Sequence, residues 1–129
     1  MRDLPNTPFV ILSASVADRS MVENFRQSVS LKEYLLFLDL KFKMVQGRYE
    51  GKDEIAFVIP NLDYEDALDI ASYFNQETVL AVDAKREAWL LFTDGSDHKY
   101  LGYWSEVQGQ CNDNYTLDGE IKYTCIGGS

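Results

Sequence analysis

The sequence has one histidine, His98, and two cysteines, Cys111 and Cys125, and each shortage narrows the chemistry available to it. A single histidine beside the Asp94-Gly95-Ser96-Asp97 stretch gives no Cys/His ligand set with zinc spacing. It also disfavours a Ser-His or Cys-His nucleophile, so neither a metal nor a cofactor is expected. The cysteines fall in the C-terminal quarter, where a reducing compartment keeps them as thiols. Long apolar runs are missing too. Tyr34 to Leu38 is typical of those present, against the roughly 20 residues a membrane-spanning helix needs. The opening Met1-Arg2-Asp3-Leu4-Pro5-Asn6-Thr7-Pro8 has no positive segment leading into an apolar one, so no secretion signal is read and a cytoplasmic location is expected. Positive charge is scarce: 12 Lys and Arg face 21 Asp and Glu, for a net charge of −9 and a pI near 4.4. Phosphate neutralisation needs clustered cations, so the expectation is no nucleic-acid partner and no membrane partner. An acidic surface serves solubility, attracts a cationic ligand, or imitates DNA toward a basic protein.

What is present suits one α+β domain over residues 1–129, with 46% hydrophobic residues. Residues 1–8 read as a flexible tail and residues 106–129 as a C-terminal extension carrying a hairpin. Phe9 to Val16 reads as a buried first strand. Ser30 and Glu33 have capping-box spacing ahead of Leu31, Tyr34, Leu35 and Leu38, which predicts a helix; Met21 to Val29 reads equally as a shorter helix or a lid. Phe42 to Tyr49 and Glu54 to Ile59 form a hairpin about Glu50-Gly51-Lys52-Asp53. Asp63 caps a second helix whose Ala67, Leu68, Ala71 and Phe74 share a face. Strands follow at Thr78 to Val82 and Ala88 to Thr93, separated by Asp83 to Glu87. Lys99 to Ser105 and a hairpin about Asp118-Gly119, joining Asn114 to Leu117 with Ile121 to Thr124, complete the reading. The first six elements give a ferredoxin-like βαββαβ order: an antiparallel sheet with two helices on one face, extended by C-terminal hairpins. A fold of this type hosts many functions, so the site must decide.

The hairpin Gly47-Arg48-Tyr49-Glu50-Gly51-Lys52-Asp53-Glu54 concentrates ionisable groups between two apolar strands and is the leading candidate site. On a two-residue period Tyr49 and Glu54 face one another, a geometry in which a phenol steadies a carboxylate. The alternative is a solvated turn with incidental charges. Ser13 and Ser15, at the end of the first strand, either line a cleft or satisfy a loop backbone. Gln76, with Asn75 at the end of the second helix, either caps that helix or reaches a ligand pocket. Trp89 and Trp104 read as core or subunit-contact residues rather than base-stacking platforms.

The chain resembles the phage-encoded S-adenosylmethionine hydrolases, also described as S-adenosylmethionine lyases. The likeness runs in order through Phe9-Val10-Ile11-Leu12-Ser13-Ala14, Gly47-Arg48-Tyr49 and Asp53-Glu54 before Ile55-Ala56-Phe57-Val58. It continues through Asp66-Ala67-Leu68-Asp69-Ile70-Ala71 with Gln76-Glu77-Thr78-Val79-Leu80, and ends in Gly109-Gln110-Cys111 and Tyr115-Thr116-Leu117-Asp118. The loop from Tyr49 to Glu54 is shorter than in that family, and the residues after Ala14 differ. The resemblance implies an enzyme that degrades S-adenosylmethionine in the cytoplasm, a homotrimer with sites between subunits, and counter-defence against host restriction. It carries Glu54 and Tyr49 over as catalytic residues, with Ser13, Ser15 and Gln76 as candidate substrate-binding positions. As a lyase such an enzyme gives methylthioadenosine and homoserine lactone; as a hydrolase it directs a water. Two rival readings are an acidic DNA-mimic inhibitor of a host defence protein and a small regulatory nucleotide-binding module.

Overall fold

The structure, a computed structural model, describes residues 7–15, 20–49, 52–107, 115–118 and 121–127. Two helices and eight strands alternate as β1 Phe9–Ser13, α1 Met21–Phe37, β2 Lys43–Tyr49, β3 Lys52–Pro60, α2 Tyr64–Tyr73, β4 Thr78–Val82, β5 Glu87–Phe92, β6 Lys99–Val107, β7 Tyr115–Asp118 and β8 Ile121–Gly127. The fold is α+β and its first six elements follow the expected order. Residues 1–6 of the tail, Val16, the Glu50-Gly51 turn, Gly109-Gln110-Cys111, Asn114 and Gly119 lie outside the described residues. Pro8, at the inner end of the tail, is tied to the sheet by the Asn61 N–H, which donates to its carbonyl at 2.9 Å.

The helix starts follow from their caps. α1 begins at Ser20, whose hydroxyl accepts the Glu23 N–H at 3.2 Å, so Met21 to Val29 is helical and continuous with the rest. Ser20-Met21-Val22-Glu23 has the same Ser-x-x-Glu spacing as Ser30 to Glu33. Ser30 sits in the interior of the helix, where preceding turns already engage its backbone, and the cap belongs to Ser20. α2 begins at Asp63 as expected, through its backbone position rather than a side-chain bond, with Glu65 and Asp66 complementing the helix dipole. It ends in a Schellman turn. Asn75 adopts φ 61°, the Gln76 N–H reaches the Ala71 carbonyl at 2.8 Å, and the Asn75 N–H reaches Ser72 at 3.0 Å.

The strands form one closed antiparallel barrel in the order β1-β3-β2-β7-β8-β6-β5-β4. Within it β4, β1, β3 and β2 are consecutive neighbours, and the C-terminal strands bridge the two edges of that four-stranded unit. The sequence reading extended the sheet without closing it; pairing β7 to β2 and β6 to β5 removes the open edges such an extension would leave. A register shift at Ala88/Trp89 opposite Gly102, itself at φ 111°, bends β6 where the barrel must turn. The turn between β4 and β5 is organised by Asp83, whose carboxylate accepts the N–H groups of Lys85 at 2.9 Å and Glu87 at 3.0 Å.

Strand alternation divides the core in two. Phe9, Val45, Ala56, Val58, Val82, Ala88 and Trp104 fill the barrel, where Phe9 and Trp104 meet edge to face with centroids 5.7 Å apart. Val10, Leu12, Phe57, Ile59, Val79 and Ala81 point outward onto Leu31 and Leu35 of α1, Ala67, Ile70 and Ala71 of α2, and Phe74 at its C-cap. Both helices therefore cover one outer face. Leu31 and Leu35, fully buried, anchor the C-terminal half of α1, while its N-terminal half carries exposed Met21, Val22 and Phe25. No described helix is long and apolar enough to cross a membrane.

Candidate functional site

β1 makes its last pair with β3 at Ser13↔Ala56, and β3 continues through Ile55 and Glu54 with only β2 beside it among the described residues. The barrel wall is notched there. Glu54 shares the strand face of Ala56 and Ser13, and its direct partner on β2 is Gly47. A Cβ on Gly47 would lie 3.4 Å from Glu54 Cγ and 3.7 Å from Oε1, in ordinary contact, and a larger side chain would crowd the carboxylate. The carboxylate can thus lie across β2 unobstructed.

Four of the sequence candidates meet at this notch. The Ser13 hydroxyl donates to the Glu54 carboxylate and accepts the Ser15 N–H at 3.1 Å. The Ser15 carbonyl in turn accepts the Gln76 side-chain N–H at 3.0 Å. Ser13 therefore satisfies a loop N–H and also reaches the carboxylate, and the Gln76 side chain reaches from the end of α2 to fasten the loop; neither Ser13 nor Gln76 is among the residues that line the adjacent cleft. Asn75, not Gln76, supplies the left-handed residue that ends α2. Burial pushes the Glu54 carboxyl above its ordinary value, and the Ser13 bond opposes that shift without cancelling it.

Tyr49 stands opposite Lys52 in the hairpin register, two pairs beyond Gly47↔Glu54, so Tyr49 and Glu54 are diagonal rather than directly opposed. Lys52 and Asp53 belong to β3 and not to the turn. The side chain of Tyr49 lies outside the described residues, as do those of Cys125, Tyr115, Leu117 and Asp118. His98 is exposed, its ring 6.4 Å from that of Tyr64.

Beside the notch lies a cleft of about 570 Å³, within the range of small-ligand sites. Ser15, Glu54, Ile55, Met44, Val45 and Gln46 line the sheet side. Met21, Asn24, Phe25 and Ser28 line the helix side. This second wall was missed from the sequence. The available signal was the spacing of those four residues at i, i+3, i+4 and i+7, a stripe offset from the Leu31 and Leu35 stripe that packs on the sheet. Among the described residues no group of three or more His, Cys, Asp or Glu side chains is placed to hold a metal. The cleft combines apolar walls with one desolvated carboxylate, an environment that favours a ligand with both an apolar body and a positive charge.

The sequence profile of the S-Adenosylmethionine lyase family matches residues 10–126. The chain belongs to the S-adenosylmethionine lyase family. The match spans both helices and nearly all of the barrel, so the S-adenosylmethionine lyase assignment covers the notch and both cleft walls. No curated protein matches the sequence. Membership places the chain among proteins that degrade S-adenosylmethionine, a molecule that carries sulfonium and ammonium charges.

Proposed function

We propose that the protein is an S-adenosylmethionine lyase that converts its substrate to methylthioadenosine and homoserine lactone in the cleft beside Glu54. The substrate carboxylate oxygen attacks the γ-carbon of the methionyl chain as the bond from that carbon to sulfur breaks. The bond's electron pair returns to sulfur, giving the neutral thioether. The sulfonium and carboxylate charges cancel, the ammonium charge persists, and no proton needs to move.

The observation that carries this reading is the desolvated Glu54 carboxylate, held by Ser13 at the edge of an apolar-walled cleft. An anion placed against the sulfonium would stabilise the substrate more than a transition state in which that charge is vanishing. Placed against the ammonium, it binds both equally and serves as an anchor. Glu54 therefore holds the ammonium, Tyr49 steadies the bound amino-acid end from its diagonal position, and Ser13, Ser15 and Gln76 fix the strand end on which that end of the substrate rests. Holding the methionyl chain folded brings nucleophile and carbon to near-attack distance, a source of large effective molarity. The low polarity of Met21, Phe25, Met44 and Ile55 favours a step that annihilates charge.

The reading includes a homotrimer whose copies close the clefts. Val22, Val29 and Leu36 repeat every seven residues along α1 and are exposed, a seam suited to a neighbouring copy. Loss of the methyl donor in the cytoplasm would deprive restriction systems that depend on it, a phage counter-defence. The test is incubation of the purified chain with S-adenosylmethionine and chromatography of the products. Methylthioadenosine with homoserine lactone is expected; homoserine formed without the lactone would replace the lyase with a hydrolase, and no methylthioadenosine would overturn the reading. Light scattering should return three times the chain mass, and a monomer would remove the trimer from it.

A further inference from the structure

We propose that the aromatic and acidic face formed by Trp89, Tyr100, Tyr103 and Tyr64 around Asp83 and Glu87 docks an arginine-bearing segment of a basic partner protein. This surface is separate from the cleft. β5 and β6 lie across the barrel from β3: β5 is reached from it through β1 and β4, and β6 through β2, β7 and β8. None of the six side chains lines the cleft, and the inference does not depend on what the cleft binds.

Trp89 and Tyr100 pair across β5 and β6, where their rings meet at 62° with centroids 5.0 Å apart. Trp89 packs against the core between sheet and helices, which puts the pair on the outer face of the barrel. Each ring has its polar tip held by an anion. The indole N–H donates to Asp83 Oδ2 at 3.4 Å, and the Tyr100 phenol donates to the Glu87 carboxylate. Donation to a carboxylate pushes electron density into a ring, and a richer π face attracts a cation more strongly. Tyr64 extends the face from the start of α2, where partial desolvation and the charge of Asp83 raise its phenol above the ordinary value. Tyr103 extends it along β6, opposite Glu87 in the register and next to Trp104, which points the other way into the barrel.

The fold leaves these rings uncovered. Tyr64, Tyr100 and Tyr103 are 38%, 37% and 48% exposed, three of the four exposed tyrosines among the described residues, so they gather on one face instead of scattering singly. The bordering segments 63–66, 83–87 and 94–99 hold seven carboxylates against three Lys or Arg, which makes the face negative as well as aromatic. A guanidinium matches both properties. Its plane stacks on the rings while its N–H groups fork onto a carboxylate, whereas an ammonium meets either one as a point charge. Nucleic acid is repelled by the same charge, and an apolar partner would bury Asp83 and Glu87 without bringing a cation of its own.

The test titrates the full chain with a peptide of alternating glycine and arginine, and with the same peptide carrying citrulline, the neutral isostere of arginine. The chain has two tryptophans and Trp104 is buried inside the barrel, so a change in tryptophan emission on binding reports Trp89. The arginine peptide should change that emission saturably; the citrulline peptide should not. In calorimetry Tyr100→Leu, which removes a ring and no charge, should weaken the arginine peptide by about 2- to 30-fold, and Tyr100→Phe should restore most of the affinity. Glu87→Gln, which keeps an acceptor for the phenol, should weaken it by about fivefold or more. Glu33→Gln, an equal loss of charge at an exposed position on α1, should cost less than about twofold. Melting curves establish that the variants fold. The inference is overturned if the citrulline peptide binds equally, or if Glu33→Gln costs as much as Glu87→Gln, which would reduce the binding to diffuse attraction by net charge. It is also overturned if Tyr100→Leu leaves the affinity intact, or if that variant changes the mass in light scattering, which would assign the face to contacts between copies.

Discussion

Glu54→Gln should move activity and stability in opposite directions. Glutamine has the shape of glutamate and its Oε1 still accepts the Ser13 hydroxyl, so the notch keeps its geometry and loses only charge. In the proposed complex, the substrate ammonium is left desolvated without its counter-ion, a loss of about 2–5 kcal/mol for a truncated buried charge pair. At 1.36 kcal/mol per decade, kcat/KM falls by ~30- to ~5,000-fold. The empty protein responds in the other sense. Desolvation raises the folded-state carboxyl above its ordinary value of 4.5. Below the ordinary value both folded and unfolded chains hold the proton, and the contribution of Glu54 to stability is fully present. As pH rises through the raised value the folded chain must charge a buried group, and that contribution is lost. Glutamine never charges, so above the ordinary value of 4.5 the variant should melt above the wild type, by a margin that widens until pH passes the raised value and is level beyond it. Calorimetric melting across that range, paired with methylthioadenosine release, measures both effects. A variant that melts lower than the wild type at about pH 8, or that keeps kcat/KM within about threefold, would refute the reasoning and make Glu54 a structural residue.

Three further outcomes follow from the same geometry. Ser13→Ala removes the bond that holds the Glu54 carboxyl down, so the acid limb of the kcat/KM profile should move to higher pH, read from rates across the pH range. Gly47→Ala should be tolerated, since its methyl would make ordinary contact with Glu54. Gly47→Val must displace that side chain at about 1–3 kcal/mol, visible as lost kcat/KM together with a lower Tm. Ser20→Ala should cost about 1 kcal/mol and several degrees of Tm as α1 loses its cap, whereas exposed Ser30→Ala should leave the melting temperature level or slightly raised.

Local structure was legible where a residue pattern has one physical solution. The short β-rich apolar run Ile55 to Ile59, stopped by Pro60-Asn61, and the Asp63 start of α2 read as a strand and a helix start, and both are found. The start of α1 had two readings, because Ser20 and Ser30 each precede a glutamate by three residues and the sequence carries no term for which turn is already occupied. Closure of the barrel was not legible for a different reason. Alternation fixes which face a strand residue takes but not which distant strand it meets, and the β2–β7 pairing spans about half the chain. The site divides the same way. Glu54, Ser13, Ser15 and Gln76 were each legible as polar residues at element ends, but their linkage depends on where β1 stops pairing. The α1 wall was illegible while Met21 to Val29 had no assigned element.

The notch makes the proposed cyclisation, which needs only a folded substrate, compatible with a barrel of so little chemical equipment. Glu54 is oriented by Ser13, Ser13 by the Ser15 backbone, and Ser15 by Gln76, so the carboxylate is referenced to the end of α2 and not to a loop alone. That end is fixed by the left-handed Asn75 and the Gln76 N–H bond to Ala71, itself buried against the sheet. The second and third links use the Ser15 N–H and carbonyl, backbone groups that had to be satisfied anyway where β1 stops pairing. The rigid core thereby holds one wall of the cleft in register, while α1 supplies the other from the half of the helix that Leu31 and Leu35 do not bury. A charge-cancelling cyclisation asks for that division: a fixed anchor for the charge that survives, and an apolar wall beside the charges that disappear.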